Sequence, residues 1–161
     1  MLAVTVAILT VSDSAVAGTR RDLSGPALAA RCADLGWPVV ERAMVADEES
    51  AIHDIIVRWA DAHAAALILT TGGTGVAERD VTPEATRRAV EREIPGIPEL
   101  MRLEGRAQTQ FSILSRAVAG SRGSTLVVNL PGSPQGAVYS LSLIAAHVSH
   151  VVEILAGRTG H

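Results

Sequence analysis

Apolar residues in this chain fall into short runs separated by longer stretches with helical periodicity. Runs of Val, Ile, Leu and Ala that are apolar on both faces are typical of strands buried in a parallel sheet. They cover residues 3–11, 38–45, 65–70 and 125–130. Apolar positions three or four residues apart predict helices over residues 24–35, 48–62, 99–105 and 135–155, and another from Thr82.

This alternation of strands and helices predicts the fold class. A chain of this kind forms an α/β domain with a mostly parallel, doubly wound sheet and flanking helices. We expect a single domain over residues 1–161. Residues 117–119 are expected to pair with a neighbouring strand as a short antiparallel edge strand.

Conventional capping residues mark where several helices begin. Ser24 is expected to cap the first helix, and Gly36 to end it. Asp47 is a natural cap for the second helix, and Thr82 for the helix after the third strand. Capping therefore gives Asp47 a structural interpretation that competes with a role in chemistry.

The last helix is apolar around much of its circumference. Leu141, Val148 and Val152 belong to one stripe, while Leu143 and Ile154 lie towards other faces. A helix of this kind usually has a second partner beyond its own sheet. We therefore expect a homo-oligomer that uses this helix or a neighbouring apolar surface.

The composition restricts the chemistry. All 14 Lys and Arg residues are Arg, so the chain has no lysine. This excludes a Walker A loop, whose Lys contacts the phosphates, and a Schiff-base lysine. Any phosphate must be bound by Arg, backbone N–H groups, hydroxyls or a metal. The net charge of −3 and the few aromatic residues (2 Trp, 1 Tyr, 1 Phe) argue against nucleic-acid binding.

The location is expected to be cytoplasmic. No apolar run approaches the roughly 18 residues that a membrane span needs, so we expect no membrane association. The single cysteine, Cys32, lies in a helical pattern and is interpreted as a small buried apolar residue. A lone cysteine that forms no internal disulfide fits a reducing compartment.

Three of the predicted strands end in loops with unusual residues. The loops cover residues 10–14, 70–75 and 129–134, and they offer small residues, hydroxyls and free backbone amides. Doubly wound sheets bind ligands beyond the carboxyl ends of their strands, and such loops can form an anion-binding concavity. One loop alone would be interpreted as a tight turn, but three together predict a phosphate or nucleotide pocket. The Gly72-Gly73-Thr74-Gly75 spacing does not match the dinucleotide fingerprint, which disfavours NAD.

Two aspartates follow predicted strands or their loops. A carboxylate facing phosphates is repulsive unless a divalent cation lies between them or the carboxylate accepts a proton. In a chain without lysine, Asp47 and Asp80 therefore favour Mg²⁺-dependent phosphoryl or nucleotidyl transfer, although Asp80 also fits a turn. Arg116 is a candidate phosphate clamp, with a surface ion pair as the alternative.

Several long motifs, taken together, resemble one known family. The motifs are ILTVSDS (8–14), SGPAL (24–28), LTTGGTG (69–75), RDVTPEAT (79–86), GIPELMR (96–102), LSRAVAG (114–120) and RGSTLVVNLPGSP (122–134). In this order they resemble the MogA/MoaB family of molybdenum-cofactor biosynthesis proteins, and also the G domain of gephyrin. The resemblance covers nearly the whole chain.

The resemblance implies a fold, an activity and a set of site residues. The family has an α/β fold and commonly forms homotrimers, with some hexamers. Its adenylyltransferase members join molybdopterin to AMP from Mg-ATP and release pyrophosphate. Asp47 and Asp80 match the family's two functional aspartates, to which we assign catalysis and Mg²⁺. The substrate loop matches Thr71, Gly72, Gly73, Thr74 and Gly75, and the pterin and nucleotide pocket matches Ser12, Asp13, Ser115, Pro131, Gly132 and Ser133.

Two departures from the family pattern bear on function. Ala46 stands where the family often has Pro, and Gln135-Gly136 follows Pro134 where many members have a Lys. Either Arg116 or another Arg substitutes for that phosphate contact, or the contact is dispensable. The alternatives to an adenylyltransferase are a MoaB-like pterin-binding paralogue with weak or different activity, and a gephyrin-like scaffold. The intact pair of aspartates favours the enzyme.

Overall fold

The computed structural model describes residues 2–158 and contains one sheet with helices on both faces. Within these residues the strands are β1 Val6–Val11, β2 Val39–Val45, β3 Leu67–Thr71, β4 Arg92–Glu93, β5 Ala119–Arg122 and β6 Thr125–Leu130. The helices are α1 Asp13–Val16, α2 Ser24–Asp34, α3 Glu49–Asp61, α4 Thr82–Ala89, α5 Gly96–Glu104 and α6 Pro134–Leu155. Short 3₁₀ turns cover Gly105–Ala107 and Gln110–Leu114.

The sheet confirms the predicted mostly parallel, doubly wound architecture. The strand order is β2-β1-β3-β6-β5-β4, and β2, β1, β3 and β6 are parallel. The chain passes from β1 to β2 on one side and then returns to β3 on the other. The strand order therefore reverses between β1 and β3, where doubly wound sheets place their ligands.

Side chains alternate along β1 between two buried apolar layers. Val6 and Ile8 pack in the layer that contains α2, α5 and α6, whereas Ala7 and Leu9 pack in the layer that contains α3 and α4. Because successive strand residues point to opposite faces, a strand covered on both sides is apolar throughout. Cys32 is fully buried in the first layer, as expected, and burial raises the pKa of its thiol to about 11.

The antiparallel part of the sheet differs from the prediction. The strand beside β6 begins at Ala119 rather than at residue 117, and β4 lies outside it and forms the edge. A two-residue turn with Gly123 at φ +55° joins β5 to β6 and sets their register, with Arg122 opposite Thr125. The Val118 N–H donates to the side chain of Asn129 on β6 instead of to a backbone carbonyl of that strand.

Three predicted capping residues do not cap their helices. Ser24 is the first residue of α2, and the Asp22 carboxylate accepts a hydrogen bond from the Gly25 N–H at 3.0 Å. Glu48 precedes α3 with no side-chain cap, because the Asp47 carboxylate is bonded elsewhere. Thr82 donates its hydroxyl to the Gly72 carbonyl at 2.9 Å. Tertiary contacts therefore occupy the side chains of Asp47 and Thr82, which do not cap the helices.

The bounds of α2, α3 and α6 lie within one residue of the predictions, and α4 begins at Thr82 as predicted, whereas α1 was not predicted and α5 differs. This helix starts at Gly96 instead of residue 99, because Pro98 fits the first turn, where a missing N–H is tolerated. Among the described helices, α6 is long and apolar enough to cross a membrane by length and composition. Its Leu141, Ile144 and Val148 are nevertheless fully buried against the sheet and α2. A core helix meets the same criterion, so no membrane role follows.

Asn129 joins three parts of the fold from a fully buried position. Its Nδ2 donates to the hydroxyls of Thr70 on β3 and Thr86 on α4, both at 2.9 Å. Its Oδ1 accepts the Val118 N–H at 3.0 Å. All the polar atoms of this side chain are satisfied, which makes the residue difficult to replace.

We expect Asn129→Ala to lower the free energy of unfolding by about 2 to 4 kcal/mol, because it leaves several buried polar groups without a partner. Urea denaturation measures the change. The control is Thr86→Val, which removes one of these bonds and keeps the volume, with an expected loss of about 1 kcal/mol. Equal losses in the two variants would contradict the network interpretation.

Candidate active site

The carboxyl ends of three neighbouring strands lie at one level and open onto a cavity of about 510 Å³. Thr10 pairs with Thr71, and Thr71 pairs with Leu130, so the loops that follow β1, β3 and β6 emerge side by side. The predicted residues that line this cavity are Ser12, Thr71, Gly72, Gly132 and Ser133. Thr10, from the predicted loop 10–14, also lines it, and the lining residues that were not predicted include Arg20, Arg21, Asp22 and Ser24.

The three loops pack backbone against backbone. Gly72 and Gly73 have φ values of +101° and +69°, a region that favours glycine. A Cβ at Gly72 would collide with the Val11 carbonyl oxygen, and one at Gly132 would lie 3.3 Å from the Gly72 Cα. The Thr71 hydroxyl also donates to the Pro131 carbonyl at 2.8 Å. Side chains larger than hydrogen at Gly72 are therefore incompatible with this arrangement.

Asp13 and Asp47 bind each other's backbones across the ends of β1 and β2. The Asp13 N–H donates to Asp47 Oδ2 at 3.0 Å, and the Asp47 N–H donates to Asp13 Oδ1 at 2.8 Å. Asp13 Oδ2 is bound by Arg79, with Nε at 2.6 Å and Nη2 at 2.5 Å. Both oxygens of Asp13 are thus occupied, and this residue positions Asp47.

Asp47 and Asp80 flank the glycine loop, as the strand-end argument requires. Asp47 Oδ1 lies 3.2 Å from where a Cβ on Gly73 would be, and Asp80 Oδ2 lies 2.8 Å from where a Cβ on Gly75 would be. Asp80 Oδ2 also accepts the Ala77 N–H at 3.0 Å, which agrees with the turn interpretation. The two aspartates therefore belong to one local cluster.

The environments of Asp13 and Asp47 shift their pKa values in opposite directions. The hydrogen bond from Arg79 holds the pKa of Asp13 below its ordinary value. Burial raises the pKa of Asp47, and the negative charges of Asp13 and Asp80 raise it further, although the hydrogen bond from the Asp13 N–H opposes the shift. Asp47 is therefore a carboxylate whose negative charge is poorly compensated within the protein.

Arg116 is engaged by protein groups instead of pointing into the cavity as a phosphate clamp. Its Nε donates to the Gly75 carbonyl, its Nη2 to the Asp80 carbonyl and its Nη1 to Glu84 Oε1. Of the two predicted roles for Arg116, the ion pair agrees better with the structure than the phosphate clamp, since its guanidinium binds Glu84. The arginines that do line the cavity are Arg20 and Arg21, which the sequence reasoning missed. Their signal was the pair of adjacent cations in the polar stretch after the first strand.

A second cavity of about 170 Å³ adjoins the first and shares Ser133 with it. Of the predicted residues, Ser115 and Pro131 line this second cavity. Its other lining residues include the aromatic rings of Phe111 and Tyr139, which lie on different parts of the chain and carried no motif in the sequence. The site thus has a polar cavity beside a more aromatic one.

Comparison with known proteins identifies the family. Residues 7–150 match the family model described as a probable molybdopterin binding domain. The chain belongs to this family.

Individual relatives agree with this assignment. The molybdenum cofactor synthesis protein cinnamon of Drosophila melanogaster is 38% identical over 156 residues, which are 96% of this chain but 26% of that longer protein. The molybdopterin adenylyltransferase of Helicobacter pylori strain J99 is 35% identical over 160 residues, covering 98% of this chain and 91% of that protein. The crystal structure of the molybdopterin biosynthesis enzyme MoaB from Thermus thermophilus has a TM-score of 0.90 at 45% identity, covering 96% of this chain and 97% of that one.

The described part of the chain contains no group of three or more His, Cys, Asp or Glu side chains that could hold a metal ion. His147 and His150 are exposed on α6 and form no such group. Any cation at the Asp47–Asp80 cluster would therefore complete its coordination with water and ligand oxygens. Mg²⁺ often binds in this way, through one or two carboxylates and substrate phosphates.

We expect Asp47 to titrate at a higher pH than Asp13, because burial and like charges raise the pKa of Asp47 while Arg79 lowers that of Asp13. A raised carboxyl pKa favours the folded state at low pH, and this contribution is lost as pH rises through the folded pKa. Carboxyl ¹³C NMR titration measures both residues. Asp80→Asn should lower the pKa of Asp47, whereas Asp61→Asn on α3 should leave it unchanged. Titration of Asp47 at or below Asp13 would contradict the assignment.

Proposed function

We propose that this protein is a molybdopterin adenylyltransferase of molybdenum cofactor biosynthesis. In this reaction a phosphate oxygen of molybdopterin attacks the α-phosphorus of ATP. A new P–O bond forms, the bond between the α-phosphorus and its bridging oxygen breaks, and pyrophosphate leaves. The observation that carries the proposal is the pair of adjoining cavities, which suits a reaction between two bound substrates.

The larger cavity is lined by groups that can bind a nucleoside triphosphate. The loops after β1 and β6 bring the hydroxyls of Ser12 and Ser133 to its wall, together with the backbone of Gly132. Thr71 and Gly72 of the loop after β3 also line the wall, but the Thr71 hydroxyl and the Gly72 N–H already donate to the Pro131 and Leu130 carbonyls. Arg20 and Arg21 add positive charge. Hydroxyls, backbone amides and guanidinium groups together bind phosphate oxygens without lysine.

Asp47 and Asp80 are the residues that would hold Mg²⁺. The fit rests on their shared location beside the glycine loop and on the raised pKa of Asp47, since a bound cation offsets the repulsion among Asp13, Asp47 and Asp80. When bound, Mg²⁺ would neutralise charge on the phosphates and orient them. Asp13 and Arg79 keep Asp47 in place for this role.

The smaller cavity suits a flat heterocycle such as a pterin. Phe111 and Tyr139 offer aromatic faces, and Ser115 and Thr109 offer hydroxyls close to them. Aromatic side chains stack on flat rings, and hydroxyls satisfy their polar edges. A pterin bound here would have its phosphate near Ser133, which belongs to both cavities.

The second candidate function is molybdopterin binding without efficient adenylylation. Two observations favour it: Gln135 follows Pro134 where many family members have a Lys, and the MoaB structure is 45% identical. Under this alternative, pterin binding would be retained and no adenylylated product would form.

The assembly and the location are also part of the proposal. A homotrimer, or a hexamer built from trimers, is supported by the family resemblance and by the exposed Ile154 on α6. A cytoplasmic location is supported by a lone, fully buried cysteine.

The direct test is incubation of the protein with molybdopterin, Mg²⁺ and ATP, followed by chromatography of the adenylylated pterin and pyrophosphate. We expect product with the wild type and a fall in turnover of at least about 100-fold in Asp80→Asn, with the fold retained. The control is Asp54→Asn on the exposed side of α3. If the wild type binds pterin but forms no product, the second candidate function is favoured. If Asp80→Asn has an unchanged rate, Asp80 has only a structural role in its turn.

We expect the double variant Arg20→Ala/Arg21→Ala to raise the KM for ATP by about 10-fold or more with little change in kcat. The reason is that charge-assisted hydrogen bonds to phosphate contribute about 1.5 to 3 kcal/mol each. Steady-state kinetics with varied ATP measure this. Arg58→Ala/Arg92→Ala removes the same charge from exposed positions outside both cavities and should leave KM unchanged. Equal changes in the two double variants would contradict a specific contact.

A further inference from the structure

We infer that Arg116 is a positioning residue that holds Asp80 and the glycine loop in place through hydrogen bonds to their backbone. The inference rests on the proposed function, in which Asp80 contributes to Mg²⁺ and phosphate binding. It replaces the phosphate-clamp prediction for Arg116 with a different role, in which the residue acts through the loop that it binds.

Arg116 makes four hydrogen bonds to a single short segment of the chain. Its N–H donates to the Thr74 carbonyl at 2.8 Å. Its guanidinium donates to the Gly75 carbonyl at 2.7 Å, the Asp80 carbonyl at 2.7 Å and Glu84 Oε1 at 2.5 Å. Every acceptor lies between residues 74 and 84, so one residue ties this whole segment to the chain entering β5.

This segment needs such support because most of it is neither helix nor strand. It leaves β3 after Thr71 and enters α4 at Thr82. The Asp80 N–H bonds to the Ala77 carbonyl and the Thr82 N–H to the Gly73 carbonyl, both within the segment. Arg116 binds it to another part of the fold and satisfies the carbonyls of Gly75 and Asp80.

The two carbonyls belong to residues whose positions depend on each other. Asp80 Oδ2 stands over Gly75, where an added Cβ would be 2.8 Å away. By binding both carbonyls, the guanidinium fixes the position of the Asp80 carboxylate relative to Gly75. The negative charge of Asp80 also faces that of Asp47, whose pKa it raises. Repulsion between the two carboxylates favours their separation, which Arg116 resists.

Glu84 orients the guanidinium. It lies in the first turn of α4, and its hydrogen bond from Arg116 lowers its pKa below the ordinary value. Its other oxygen, Oε2, is buried and has no hydrogen-bond partner among the described residues. The polar contact that Glu84 makes here is therefore with Arg116. A lysine could not replace the arginine, since one ammonium group does not match the planar fork of donors that spans three acceptors.

The test compares Arg116→Lys and Arg116→Ala with a matched arginine elsewhere. Arg122 has the same kind of role, since it binds both oxygens of Asp61 and the Ala89 carbonyl, and it lines neither cavity. Hydrogen exchange followed by mass spectrometry measures protection of residues 74–81. We expect faster exchange in this segment in both Arg116 variants and wild-type exchange in Arg122→Ala.

Kinetics separate positioning from phosphate binding. We expect both Arg116 variants to lose about 10- to 100-fold in kcat and to need more Mg²⁺ for half-maximal rate, with KM for ATP changed less than about 3-fold. Glu84→Gln keeps an acceptor and should retain most turnover, whereas Glu84→Ala should not. Arg122→Ala should keep wild-type kinetics.

Three results would overturn the inference. The first is unchanged exchange of residues 74–81 in Arg116→Ala. The second is a raised KM for ATP with unchanged kcat, which is the signature of a phosphate clamp. The third is loss of turnover in Arg122→Ala equal to that in Arg116→Ala, which would indicate general destabilisation. If the wild type forms no product, the proposed function fails. The positioning role of Arg116 is then tested by Mn²⁺ binding, measured by electron paramagnetic resonance. Weaker Mn²⁺ binding in Arg116→Lys than in the wild type supports that role, and equal binding rejects it.

Discussion

The strands β1, β3 and β6 end at the same level of the sheet, and the site depends on this constraint. Each strand pairs with its neighbour in register, so the loops that follow them must pass one another at very short range. Gly72 meets that requirement with a left-handed backbone and no side chain, and it contacts the first loop at Val11 and the third at Gly132. Because the loops are packed through their backbones, residues of all three loops line one cavity.

Charge is organised around this backbone contact. Asp13, Asp47 and Asp80 bring three carboxylates close to the glycine loop, and the protein compensates them unequally. Arg79 neutralises Asp13, while Asp47 keeps a raised pKa. The result is a local excess of negative charge beside a cavity that carries two arginines. A nucleotide with a divalent cation has the complementary charges, and that match links the electrostatics to the proposed reaction.

The arginines of this lysine-free chain have distinct tasks. Arg79 and Arg116 lie close to the site in sequence and space, but their donors are occupied by protein acceptors. Arg20 and Arg21 extend from a loop whose neighbouring carboxylate, Asp22, is itself bound to Thr10 and Gly25. Among the described residues, neither of these two arginines forms an ion pair with an acidic side chain. A residue type alone could not separate the four arginines, since the difference lies in what each guanidinium contacts.

The sequence by itself determined the layers, the parallel strands and the three loops, because buried strands and amphipathic helices leave periodic patterns that depend on local spacing. It also predicted Asp47 and Asp80 as site residues, since carboxylates next to strand ends are visible without coordinates, and the structure places both beside the glycine loop. Tertiary structure decided what individual polar side chains bind: Asp47 is not a helix cap, and Arg116 is not directed into the cavity. It also assembled Phe111 and Tyr139 into one cavity. Hydrogen bonds and cavities join residues far apart in the chain, and their partners are set by packing rather than by any repeat in the sequence.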